Sequence, residues 1–109
     1  MSDDRLIAAL DVPARAAAER LVTQLGDTVS CYKVGMELFY AEGSGTVRWL
    51  KERGKKVFLD LILHDIPNTV AGGLSSLLHL QPDILNVHTA GGLQMMQTAA
   101  AALRRAAKI

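Results

Sequence analysis

The sequence predicts an α/β fold, the (βα)4 half of a TIM (βα)8 barrel with parallel strands, and three observations carry that prediction. Four short β-like runs alternate with helix-like segments. The units recur at roughly 25 residues without a long linker, the order expected of strands joined by right-handed crossovers into a parallel sheet. Each run has one apolar face and one mixed face, with polar groups gathered toward its C-terminal end. An open doubly wound sheet shares the element order, but it is covered by helices on both sides and reads as apolar on both. One apolar and one mixed face is the pattern of a barrel wall with its site at the C-terminal mouth.

The first run is Leu6–Val12, with Leu6, Ala8 and Leu10 opposite Ile7, Ala9 and Asp11. Pro13 opens the next helix, where its fixed φ suits a first turn. Within Ala16–Leu25, Leu21, Val22 and Leu25 recur at helical spacing, and Gly26 is a natural stop. The second run, Val29–Met36, sets Tyr32, Val34 and Met36 against Cys31, Lys33 and Gly35. A loop around Gly43–Gly45 leads into a helix that turns Val47, Trp49 and Leu50 to the core and stops at Gly54. The third run, Lys56–His64, alternates Val57, Leu59, Leu61 and Leu63 with Phe58, Asp60, Ile62 and His64. A helix begins near Pro67–Asn68 and holds Val70, Leu74, Leu77 and Leu78; Gly72-Gly73 weakens it, and Pro82 ends the connection. The fourth run, Asp83–Thr89, opposes Leu85 and Val87 to Asn86 and His88. After a Gly91-Gly92 turn, Gln94–Lys108 is an alanine-rich helix whose closing Arg104, Arg105 and Lys108 suit a helix C-terminus.

The 109 residues amount to one domain, residues 1–109, or to part of a larger one, and at 50% hydrophobic they can fill a core. A formal net charge of +1 gives no attraction to nucleic acid or to an anionic membrane. One cysteine, Cys31, rules out an internal disulfide framework, and no apolar run is long enough to span a bilayer. The acidic start MSDDRL lacks a signal-peptide core, so the expected location is the cytoplasm. Four strands leave the inner face open and both edges unpaired. The chain is therefore expected to self-associate, as a homodimer closing an eight-stranded barrel or as a higher homo-oligomer.

The mixed faces bring Asp11, Lys33, Asp60, His64 and His88 to the same end of the sheet, with Asp65 just beyond the third strand. A lysine flanked by Tyr32 and Val34 in a strand offsets its desolvation only where a carboxylate meets it. Asp11 is equally readable as a turn cap before Pro13. His64, Asp65 and His88 lack the spacing of a metal ligand set with an open position, so no metal is expected. Met95-Met96 reads as core filler, His79 as a solvated turn residue, and Gly91-Gly92 as a turn rather than a phosphate cradle.

The run Asp60–Val70, D-L-I-L-H-D-I-P-N-T-V, resembles the signature of orotidine 5'-monophosphate decarboxylase. So do ALDVP at Ala9–Pro13, YKVGMELFYAEG at Tyr32–Gly43, WLKERGKKVFLDL at Trp49–Leu61 and NVHTAGG at Asn86–Gly92. The resemblance covers essentially the whole chain but only the N-terminal half of that family's (βα)8 barrel, which is a dimer. It implies removal of CO2 from orotidine 5'-monophosphate to give UMP in pyrimidine biosynthesis, without a cofactor. It further implies that Asp60 sits against the substrate carboxylate, that Lys33 holds the charge network and contacts the ribose, and that Asp11 binds the ribose hydroxyls. Asp65 and Thr69 would reach into a neighbouring subunit's site, and His88 lies near the barrel mouth with no assigned chemistry.

Two departures bear on activity. Ile62 stands where the family has the lysine that stabilises the carbanion and delivers the proton. Loss of such a general acid costs typically about 10²–10⁴ in rate, and the lost charge adds to that. It also leaves Asp60 and Asp65 less compensated, so one of them is expected to move away or to hold a proton more readily. The second departure is that the family's phosphate-gripping loops belong to its second half, and remote phosphate binding helps to drive the reaction. The expectation is a family half-barrel that binds a nucleotide monophosphate, if any ligand, and is inactive or very weak as this chain. A non-catalytic assembly module and a related sugar-phosphate lyase or synthase remain the alternatives.

Overall fold

The computed structural model describes residues 4–107. Four strands, β1 (Ile7–Ala9), β2 (Cys31–Gly35), β3 (Lys56–Leu63) and β4 (Ile84–Val87), form one sheet in the order β1-β2-β3-β4, and every neighbouring pair is parallel. Between and after them run α1 (Arg15–Leu25), α2 (Met36–Glu42), α3 (Gly45–Glu52), α4 (Pro67–Leu77) and α5 (Leu93–Ala107). Sequential parallel strands with helical crossovers are the (βα)4 half-barrel arrangement expected from the alternation. Among the described residues, no helix is long and apolar enough to cross a membrane.

Strand parity sorts the two faces. Leu10, Tyr32, Val34, Val57, Leu59 and Leu61 are buried in one cluster with Ala18 and Val22 of α1 and with Val47, Trp49 and Leu50 of α3. Val70 and Leu74 of α4 pack with Met95 and Ala99 of α5 in a second cluster, and Leu63, Leu85 and Val87 lie against it. Among the described residues, the opposite face has no such cover. Ile7, Ile62 and Ile84 are 41%, 40% and 42% exposed there, which is the open inner wall expected of half a barrel. Cys31 shares that parity yet is buried, and desolvation, with Asp83 nearby, pushes its thiol up from the ordinary range.

Local chemistry sets the element ends. Gly26, with φ +53°, closes α1, and Gly43, with φ +63°, closes α2; both are conformations that glycine adopts without a Cβ clash. Pro67 stands at the first turn of α4, where a missing N–H costs nothing.

Three details differ from the sequence expectation. Only Ile7–Ala9 of the first run joins the ladder, although the Leu10 N–H still reaches the Lys33 carbonyl at 2.9 Å. Met36, expected to end the second strand, is instead the first residue of α2, a helix that the sequence reading did not expect between that strand and the Gly43–Gly45 loop. Its sequence MELFYAE is made of residues compatible with a helix and buries Leu38. His64 and Thr89 fall just beyond their strands, and the proposed helix end at Lys108 lies outside the described residues.

Candidate functional site

The parallel register delivers the polar residues to one place. Lys33 pairs across β1–β2 with Ala9 and across β2–β3 with Phe58, and Gly35 is level with Asp60. Lys33 Nζ consequently stands 3.7 Å from Asp11 Oδ1 and 3.5 Å from Asp60 Oδ2. The lysine, expected to need a carboxylate, has two. Asp11 does not cap α1, whose N-cap is Ala14. Both distances exceed a short charge-assisted bond, and the groups keep some solvent, so each pair contributes at most about 1 kcal/mol. Gly35 leaves room beside them: a Cβ there would lie 3.6 Å from Asp11 Oδ1 and 3.9 Å from Lys33 Nζ.

Asp60 is held from the other side by a residue that the sequence places only by parity. Asn86 Nδ2 donates to Asp60 Oδ1 at 2.6 Å, and Asn86 Oδ1 accepts the Ile62 N–H at 3.0 Å. Ile62 has φ +50°. For a β-branched side chain this is an outlier that costs about 1–3 kcal/mol and persists where surrounding bonds impose it. The ladder shifts register at the same point, between Leu59 and Leu63. An asparagine on the mixed face of β4, level with Asp60 and Ile62, was the one sequence signal for this contact.

The residues after β3 form the rim. Asp65 does not join Lys33; it is exposed, and its Oδ1 accepts the Ile66 N–H at 2.7 Å. Thr69, exposed on α4, shares a cleft with Met36, Tyr40, Ile62, Asp65 and Gly73. The rings of His64 and His88 stack at 5.3 Å between centroids, and His88 Nδ1 accepts the Ala90 N–H at 3.0 Å. Among the described residues, no group of three or more His, Cys, Asp or Glu is placed to hold a metal ion.

The arrangement can orient a polyhydroxylated ligand and hold a charge network. At residue 62 it offers neither a proton nor a positive charge. Carboxylates and a lysine on the uncovered face of adjacent parallel strands, with βα loops beyond them, lie where (βα)-barrel enzymes carry their active sites.

The chain belongs to the Orotidine 5'-phosphate decarboxylase / HUMPS family, whose model matches residues 4–109. It is 55% identical over 104 residues to the Orotidine 5'-phosphate decarboxylase of Moorella thermoacetica, a stretch that is 95% of this chain and 41% of that protein. To that of Carboxydothermus hydrogenoformans it is 53% identical over 96 residues, 88% of this chain and 40% of that protein. Among solved structures, an uncharacterized conserved protein from Geobacillus kaustophilus superposes with a TM-score of 0.84 at 48% identity, over 90% of this chain and 46% of that one. Orotidine 5'-phosphate decarboxylase from Lactobacillus acidophilus does so with a TM-score of 0.83 at 40% identity, over 94% and 46%. The chain thus spans about two fifths of the length of the curated relatives it matches.

Proposed function

We propose that this chain carries the ribose- and carboxylate-contacting part of an orotidine 5'-monophosphate decarboxylase site, silenced by Ile62. The observation that carries the reading is Lys33 set between Asp11 and Asp60 at the strand ends of a family member, beside a residue 62 with no ionisable group. In this reading Asp60 faces the substrate carboxylate, Lys33 and Asp11 take the ribose hydroxyls, and no cofactor is needed. A lysine at 62 would supply the missing charge and proton. In the same reading the phosphate grip comes from the part of the relatives' length that this chain does not match. Within the same reading the chain works in the cytoplasm, in pyrimidine biosynthesis.

Its proposed partner is a second copy of itself. The exposed isoleucines of the open face and the two unpaired edge strands support closure by another chain. Ile66 and Tyr40, 65% and 70% exposed at the rim beside Asp65 and Thr69, support a shared site. If assembly is the whole role, the chain is a non-catalytic half-barrel, and nucleotide binding separates the two. Assaying UMP binding and UMP formation for the chain and for Ile62→Lys is the test. Turnover by the lysine variant supports a scaffold with one lesion, and no binding by either form overturns the decarboxylase reading.

A further inference from the structure

The bulge between β3 and β4 gives Asn86 more to do than fill the sheet. Leu59 is level with Leu85 and Leu63 with Val87, so β3 advances four residues (59 to 63) where β4 advances two (85 to 87). The excess falls on residues 60–62, and Asn86 is the β4 residue facing it. Displaced from the ladder, the Ile62 N–H finds its acceptor in Asn86 Oδ1 at 3.0 Å, while Asn86 Nδ2 donates to Asp60 Oδ1 at 2.6 Å. A carboxamide can do both at once because it carries an acceptor and a donor on one carbon. An aspartate could only accept, and a leucine could do neither. The two contacts also fix which way the amide faces, since the flipped form would set donor against donor and acceptor against carboxylate. With Oδ1 taken, Asp60 presents Oδ2 to Lys33 at 3.5 Å.

We propose that Asn86 is a positioning residue: it holds the main chain at residue 62 in its left-handed turn and aims the Asp60 carboxylate at Lys33. It touches no reacting atom in this role. It decides where a side chain at 62 starts and which carboxylate oxygen the lysine meets. This rests on the decarboxylase reading for its purpose but not for its geometry.

The test is carbon and nitrogen NMR of the full chain, with Asn86→Ala and the near-isosteric Asn86→Leu. In the parent, Ile62 is expected to show the Cα and Cβ shifts of a left-handed residue, and the two Asn86 amide protons to resolve as a held pair. In both variants the Ile62 shifts move to extended or averaged values, while Ala18 and Val47 in the core keep theirs. Extended Ile62 shifts in the parent overturn the proposal, as do left-handed shifts retained in a folded variant. Where a variant does not fold, left-handed Ile62 shifts together with a held Asn86 amide pair in the parent support the proposal, and extended shifts or a freely averaging amide overturn it. In the Ile62→Lys background, Asn86→Ala is expected to lower kcat by about 10²-fold with KM held; an unchanged kcat overturns the positioning role. Absence of any turnover by Ile62→Lys counts against the decarboxylase reading, and the shifts at Ile62 still decide the claim about Asn86.

Discussion

Asp83 shows how a single carboxylate ties three segments together just before β4. Its Oδ2 accepts from Lys51 Nζ of α3 and from the Val57 N–H of β3, both at 2.8 Å, and its own N–H reaches the Val57 carbonyl at 2.8 Å. Burial pushes the carboxyl up, but the Lys51 bond, the Val57 N–H and the charges of Lys51 and Lys56 outweigh it and hold Asp83 below the usual range. A folded-state value below the unfolded one gives stability that is present above the ordinary carboxylate pKa of about 4 and is lost as pH falls through the folded value. Asp83→Ala is therefore expected to cost roughly 1 kcal/mol in urea unfolding at pH 7, with the gap to the parent closing as the pH drops toward 2. A gap that stays constant into acid would contradict this account of Asp83. At this scale the Lys33 cluster was legible, because a lysine among apolar strand residues needs a counter-charge wherever the fold places it. The role of Asn86 was not, because it depends on a register shift that alternation along one strand does not encode.

At the scale of elements, α4 carries an avoidable weakness. Gly72 and Gly73 lie inside the helix, neither has positive φ, and a Cβ at either meets nothing within 4 Å. Gly72→Ala is expected to stabilise the chain by roughly 0.5–1 kcal/mol, seen as a higher thermal midpoint, through lower unfolded-state entropy and better helix propensity. An unchanged or lower midpoint would mean that α4 needs those glycines for some contact outside this chain. The strands and the longer helices could be read from periodicity because one face of each is buried. α2 escaped because seven residues give too few turns to show a period, and Met36, Phe39 and Tyr40 suit a strand equally well. β1 was overextended for a related reason: its alternation continues to Asp11, while ladder pairing stops at Ala9.

For the whole molecule, the open face and the two edge strands set the terms. Ile7 lies on β1 and Ile84 on β4, both exposed on the uncovered face. If a second copy closes the sheet, Ile7→Lys and Ile84→Lys are expected to shift sedimentation toward monomer at micromolar concentration without loss of helical circular dichroism. A parent chain that sediments as a folded monomer would remove the need for a partner. Lys33 stands between Asp11 and Asp60, and the proposed reading makes residue 62, together with the unmatched phosphate-binding half, the determinant of turnover. The most direct measurement is UMP release from orotidine 5'-monophosphate by the chain and by Ile62→Lys at equal concentration. At least about 10²-fold more product is expected from the lysine variant; equal rates from the two, or no binding of UMP by either, would contradict silencing of a decarboxylase site at residue 62.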